Sequence, residues 1–72
     1  METAIKAPMP GLVARTVVNV NDKVSKGEEV VVLNVMKTEV SVKAHCDGVV
    51  KKVLVKEWDE VKVDDPLVIL ET

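Results

Sequence analysis

An all-β sandwich or barrel is the architecture this chain's residue pattern predicts, and three observations carry the prediction. The apolar residues fall in short runs, separated at close intervals by turn signals, which is the spacing of a strand-and-turn protein. No window shows convincing helical periodicity. The chain also repeats itself: residues 1–35 align on residues 38–72 without a gap, with ten identities among the 35 pairs. Glu2 falls on Glu39, Lys6 on Lys43, Ala7 on Ala44, Gly11 on Gly48 and Val13 on Val50. Val18 falls on Val55, Asp22 on Asp59, Val24 on Val61, Val31 on Val68 and Leu33 on Leu70. A repeated half cannot bury its apolar face alone, so the two are expected to pack together as one domain spanning residues 1–72.

The elements follow in the same order in each half. A short first strand leads to a glycine flanked by Pro or Asp, in Ala7-Pro8-Met9-Pro10-Gly11 and again in Ala44-His45-Cys46-Asp47-Gly48. A longer strand is expected over Leu12–Val18 and over Val49–Val55, because both runs are rich in valine, whose stiff first torsion favours strands. A polar turn follows at Asn19–Asp22 and Lys56–Asp59, then a brief strand holding Val24 or Val61. A second turn holds Lys26-Gly27 or Asp64-Asp65-Pro66, and a final apolar strand runs Val30–Val35 or Leu67–Leu70. Between the halves, Thr38–Ala44 alternates strictly. Val40, Val42 and Ala44 share one face, Glu39, Ser41 and Lys43 the other, the pattern of a half-buried strand. Gly11 and Gly48 are expected to serve backbone geometry where their strands begin.

The residues left between the halves are Met36 and Lys37. They join two predicted strands, and a two-residue hairpin requires positive φ, which Asn-Gly or Asp-Gly supplies with least strain. Met-Lys is a poor choice by that standard, at about 1 kcal/mol or more per residue. A chain that uses Gly and Asn elsewhere does not use them here, which suggests that these side chains matter more than the ease of forming the turn.

Composition excludes several classes of function. The net charge is −2, with acids and bases interleaved, and the chain has no Tyr, no Phe and one Trp. No basic stripe or stacking platform suits nucleic acid. The apolar runs are far too short for a membrane span, and the N-terminus has no signal-peptide pattern. A single cysteine makes no internal disulfide, so a cytoplasmic location is expected. His45 and Cys46 are adjacent but lack further His or Cys ligands, and as neighbours on a strand they would face opposite ways. That favours a structural role over a metal site or a nucleophile pair. Trp58 is expected to cap the core edge. The acidic tract of Glu57, Asp59, Glu60, Asp64 and Asp65 is expected to be a solvated face, since its spacing matches no calcium loop.

Val35-Met36-Lys37-Thr38-Glu39 resembles the attachment motif of biotinyl domains, typically Ala/Ser-Met-Lys-Met. Ala7-Pro8-Met9-Pro10-Gly11 ahead of it, and Gly48-Val49-Val50 with Pro66-Leu67-Val68-Ile69-Leu70 behind it, are similar to the same family. The resemblance covers essentially the whole chain. It implies a flattened β-barrel or sandwich of two four-stranded antiparallel sheets with pseudo-twofold symmetry, a modified lysine at an exposed hairpin tip, and the two termini together at the opposite end. It further implies biotin attached covalently to Lys37, with Met36 and Thr38 as flanking recognition residues. Biotin protein ligase is the implied modifying partner. Biotin carboxylase and carboxyltransferase or decarboxylase sites are the implied stations between which the arm carries a carboxyl group. The domain itself would have no catalytic activity. Thr38 stands where a second Met is usual, Asn34 where Glu is usual, and Val35 where a small residue is usual. A lipoyl carrier, in which Asp usually precedes the lysine and Ala follows it, is the neighbouring alternative. An unmodified interaction module and a hydrolase built on Cys46 and His45 are two further ones.

Overall fold

Valines and leucines spaced to face inward build eight strands. The computed structural model describes all residues, Met1–Thr72. The strands are β1 (Glu2–Lys6), β2 (Gly11–Thr16), β3 (Lys23–Val24), β4 (Glu29–Val35), β5 (Thr38–Lys43), β6 (Gly48–Val53), β7 (Glu60–Val61) and β8 (Pro66–Glu71). They form two four-stranded sheets, β1-β8-β6-β3 and β5-β4-β2-β7, and every pairing is antiparallel. The two-sheet all-β architecture that the resemblance implied is the one observed. No helix is long and apolar enough to cross a membrane.

Each sheet takes two strands from each half of the chain. Neither half can therefore complete a sheet alone, which is the physical content of the repeat. The hydrogen bonds outside the ladders obey the same 37-residue offset. Asn21 N–H donates to Val50 O and Trp58 N–H to Val13 O, both at 2.7 Å. Gly27 N–H donates to Ala44 O at 2.8 Å, and Asp64 N–H to Ala7 O at 2.9 Å. Asn19 N–H donates to Asp22 Oδ2 at 2.8 Å, and Lys56 N–H to Asp59 Oδ2 at 3.0 Å. The core follows suit. Ile5/Val42, Ala7/Ala44, Val13/Val50, Val24/Val61, Val30/Leu67, Val31/Val68 and Leu33/Leu70 are seven symmetric pairs within a 15-residue interior cluster. The remaining member, Val18, has its mate Val55 packed against that cluster. Val32 is buried but lies outside the cluster. It sits on the outer face of its sheet, between its cross-strand neighbours Arg15 and Ser41.

Several expectations from the sequence are corrected here. The long strands end at Thr16 and Val53 rather than Val18 and Val55. Each carries a register shift, at Val13/Arg15 and Val50/Lys52, and such bulges bend a strand out of its ladder. Pro66 opens β8 instead of closing the turn before it, because the first position of a strand tolerates a residue with no N–H. Asp59 and Asp65 are not merely solvated. Their carboxylates accept from Lys56 N–H and Lys62 N–H, at 3.0 and 2.9 Å, and fix the turns. Trp58 does not cap the core: it is 68% exposed, at φ 72° in a turn.

Trp58 occupies the position that Asn21 fills, at φ 78°, in the other half. Asparagine adopts the left-handed region at less cost than tryptophan. Trp58→Asn is therefore expected to stabilise the chain by about 1 kcal/mol, raising Tm by roughly 4–8 °C. Asn21→Trp is expected to lower it by a similar amount. Thermal melts followed by circular dichroism check both, and a Tm that falls in Trp58→Asn would show that the indole makes stabilising contacts despite its exposure.

Two ion pairs brace the outer faces. Lys51 donates to the Glu2 carboxylate across β8. That hydrogen bond, with the attraction between the charges, holds Glu2 below its usual 4.5 and Lys51 above its usual 10.5. Arg15 Nη1 lies 3.2 Å from Glu39 Oε2 across β4. Both pairs are solvent-exposed, and pairs of that kind contribute little to stability.

Candidate functional site

The β4–β5 hairpin closes in two residues, with Val35 paired to Thr38. Met36 and Lys37 have φ of 50° and 69°, so both central residues of the turn are left-handed, as a tight hairpin demands. Six residues of the chain have positive φ. Four of them form twofold pairs, Asn21 with Trp58 and Gly27 with Asp64. Met36 and Lys37 are the other two and have no counterpart, because they lie on the seam between the repeats. The strain at this tip is therefore not a by-product of the symmetry. Met36 is 93% exposed, and Lys37 and Thr38 are exposed beside it.

The tip stands on a fixed base. Val35 packs against the interior cluster. Gly11, at the start of β2, runs close beneath the end of β4. A Cβ at Gly11 would come within 2.8 Å of both Asn34 O and Val35 Cγ2. Gly48 stands in the same relation to Glu71 O, at 2.9 Å. These two glycines thus serve close backbone approach where their strands begin, and neither has a positive φ. Lower on the hairpin, Ser41 donates to the Glu29 carboxylate, and Arg15 pairs with Glu39. The twofold maps the tip onto the termini, where Met1 N donates to Thr72 O at 2.9 Å. The strand registers put that pair at the far end of a molecule 33 Å long and 17 Å wide.

His45 and Cys46 lie in a bend between β5 and β6, not on a strand. His45 Nε2 sits 3.3 Å from Thr3 Oγ1, while Cys46 packs against the core. No hydrogen bond joins the two, and no group of three metal-ligating side chains exists. What sequence reasoning did not bring together is the set of residues around the tip. Pro10 and Leu12 on one side, Asn34, Val35 and Met36 on the other, and Glu60 from β7 line an open groove of about 430 Å³. The only signal for it is the row Asn34–Leu12–Glu60 across β4, β2 and β7, which is invisible until the strand order is known.

A primary amine at an exposed, strained hairpin tip, on a sandwich of two interleaved repeats, is an arrangement that suits a carrier domain. The residues fit a covalently bound biotin, since the Lys37 amine is exposed at the tip and no hydrogen bond or ion pair engages it. The family described as "Biotin-requiring enzyme", which groups biotin and lipoyl attachment domains, matches residues 3–70. The chain belongs to that family and is a biotin carrier domain. It is 38% identical over 69 residues to the human mitochondrial propionyl-CoA carboxylase alpha chain, covering 96% of this chain and 10% of that one. It is 36% identical over 62 residues to the biotin carboxyl carrier protein of Streptococcus mutans, covering 86% of this chain and 48% of that one. The Kluyveromyces lactis urea carboxylase structure superposes with a TM-score of 0.93 at 30% identity, covering 99% of this chain and 6% of that one. The chain thus spans less than half the length of each of these proteins.

Proposed function

We propose that Lys37 Nζ is the attachment point and that the domain acts as a biotin carboxyl carrier, without catalytic activity of its own. The observation that carries this reading is the exposed two-residue tip, where Met36 and Lys37 hold left-handed backbone with no symmetric counterpart. Only the free-base amine is nucleophilic. Nζ attacks the acyl carbon of an activated biotin carboxylate, the activating group departs, the amine loses a proton and the lysine charge is replaced by a neutral amide. When bound, biotin supplies a ureido nitrogen that takes up and releases a carboxyl group. Met36 and Thr38 flank the amine in full view of solvent, where a biotin protein ligase reads them. Val35 and Gly11 hold the base of the tip still while the lysine side chain swings. Tethering raises the local concentration of the carried group at both stations, one for a biotin carboxylase and one for a carboxyltransferase or decarboxylase, without any new contact. The acceptor is chosen by the second partner. The lone half-buried cysteine fits a reducing, cytoplasmic setting.

Co-expression with a biotin ligase, followed by intact mass, tests the assignment. One biotinyl increment is expected on the wild-type chain and none on Lys37→Ala. A lipoyl increment obtained only with a lipoyl ligase would convert the reading to a lipoyl carrier. Biotin retained by Lys37→Ala would overturn the site.

A further inference from the structure

The groove beside the tip is shaped and lined for something small. Its volume of about 430 Å³ lies in the range of small-molecule sites, roughly 300–1,000 Å³. Leu12, Pro10 and Val35 make an apolar wall. Asn34 and Glu60 bring the polar groups, and neither side chain has a hydrogen-bond or ion-pair partner within the chain. Their neighbours Glu29, Glu39 and Arg15 are all engaged.

The pseudo-twofold supplies an internal control. The fold makes a second groove at the terminal end, about 390 Å³ in volume, where Val49 and Glu71 replace Leu12 and Asn34. There the charged groups are already committed. Lys51 bonds to Glu2, and Glu71 lies 3.5 Å from the Met1 amine. The concavity is thus a property of the fold, whereas an unpaired carboxylate beside an apolar wall occurs only in the groove at the Lys37 end.

We propose that this groove is a resting site for the bicyclic cyclic-urea head of the group attached to Lys37. The proposal rests on Lys37 being the attachment point. A cyclic urea offers two N–H donors and one carbonyl acceptor. The Glu60 carboxylate accepts from the N–H groups and the Asn34 amide donates to the carbonyl, while the ring carbons and sulfur lie against Leu12 and Pro10. Met36 lines the groove, so the arm begins at its rim. The affinity needed is small: a short flexible tether gives an effective concentration of about 1 mM, so a millimolar site is filled roughly half the time. Docked, the ureido edge faces protein instead of water, and a partner enzyme must draw it out.

The test compares 1H–15N spectra of the isotopically labelled chain before and after ligase-catalysed biotinylation, with intact mass confirming the loading. The expected result is that the amides of Leu12 and Glu60 shift along with residues 35–39. Leu12→Lys, an outward-facing change, abolishes the shift at Glu60 while biotin stays attached. Streptavidin captures the loaded Leu12→Lys chain about twofold faster than loaded wild type, since the head is no longer docked half the time. Glu60→Lys, on a different strand, acts the same way and guards against a folding defect in one variant. Shifts confined to residues 35–39 of a fully loaded chain overturn the resting site and leave the attachment reading intact. A chain that takes no biotin on Lys37 overturns both.

Discussion

Replacing Met36-Lys37 by Asn-Gly is expected to abolish biotin incorporation and, at the same time, to make the domain more stable. Both tip residues hold positive φ, 50° and 69°, at about 1–2 kcal/mol each for ordinary side chains. Asn-Gly is the pair that tight hairpins prefer, so most of that strain is relieved. Glycine also loosens the unfolded chain, which offsets about 0.5–1 kcal/mol of the gain. The net is a stabilisation of about 1–2 kcal/mol, or roughly 5–15 °C in Tm for a domain of this size. Met36→Asn alone separates the two effects: it relieves part of the strain and keeps the amine, so it is expected to raise Tm by a few degrees and still accept biotin, more slowly because the exposed Met36 side chain is gone. Thermal melts and intact mass on the three chains decide the matter. An unchanged or lowered Tm in the Asn-Gly variant would show that the tip carries no strain and that Met36 and Lys37 occupy it at no cost.

The same tip shows what the sequence makes legible. The repeat, the seam and the alternation of Thr38–Lys43 are local patterns, and they place the hairpin and its lysine without any knowledge of strand order. The interleaving of the halves is different, because it depends on pairings between residues far apart. Leu12 meets Glu60, and Lys23 meets Val49, and no periodicity within either strand announces those partners. Hence the groove around Leu12, Asn34 and Glu60 could not be read in advance. The repeat placed Trp58 and Asp64 in turns, but their residue types do not announce the left-handed backbone that they share with Asn21 and Gly27 of the first half. The ends of β2 and β6 were overrun because Val18 and Val55 contribute to the core from beyond the bulges. Hydrophobicity marks what is buried, not what is paired.

Leu33→Ala and Leu70→Ala are expected to be nearly equal in cost and severe, yet unequal in function. Both side chains are 0% exposed and occupy equivalent places in the interior cluster. Truncating a fully buried leucine costs about 3–5 kcal/mol, against a total stability of about 4–11 kcal/mol for a chain of this length. Each variant should therefore unfold at a much lower urea concentration with an unchanged m-value, and the two midpoints should fall close together because the twofold gives the leucines equivalent places in the core, with Thr3 standing beside Leu70 where Val40 stands beside Leu33. The consequence for the site breaks that symmetry. Leu33 pairs with Val13 and Val40 on the strands that carry the Lys37 hairpin. Leu70 pairs with Thr3 and Val50 at the end holding the termini. At a temperature where both variants remain folded, Leu33→Ala is expected to slow biotin incorporation by loosening the base of the tip, while Leu70→Ala is expected to load at the wild-type rate. Urea titration followed by a time course of intact mass separates these outcomes. Equal slowing in both variants would mean that incorporation follows global stability alone, and that the tip draws no particular support from the strands beneath it.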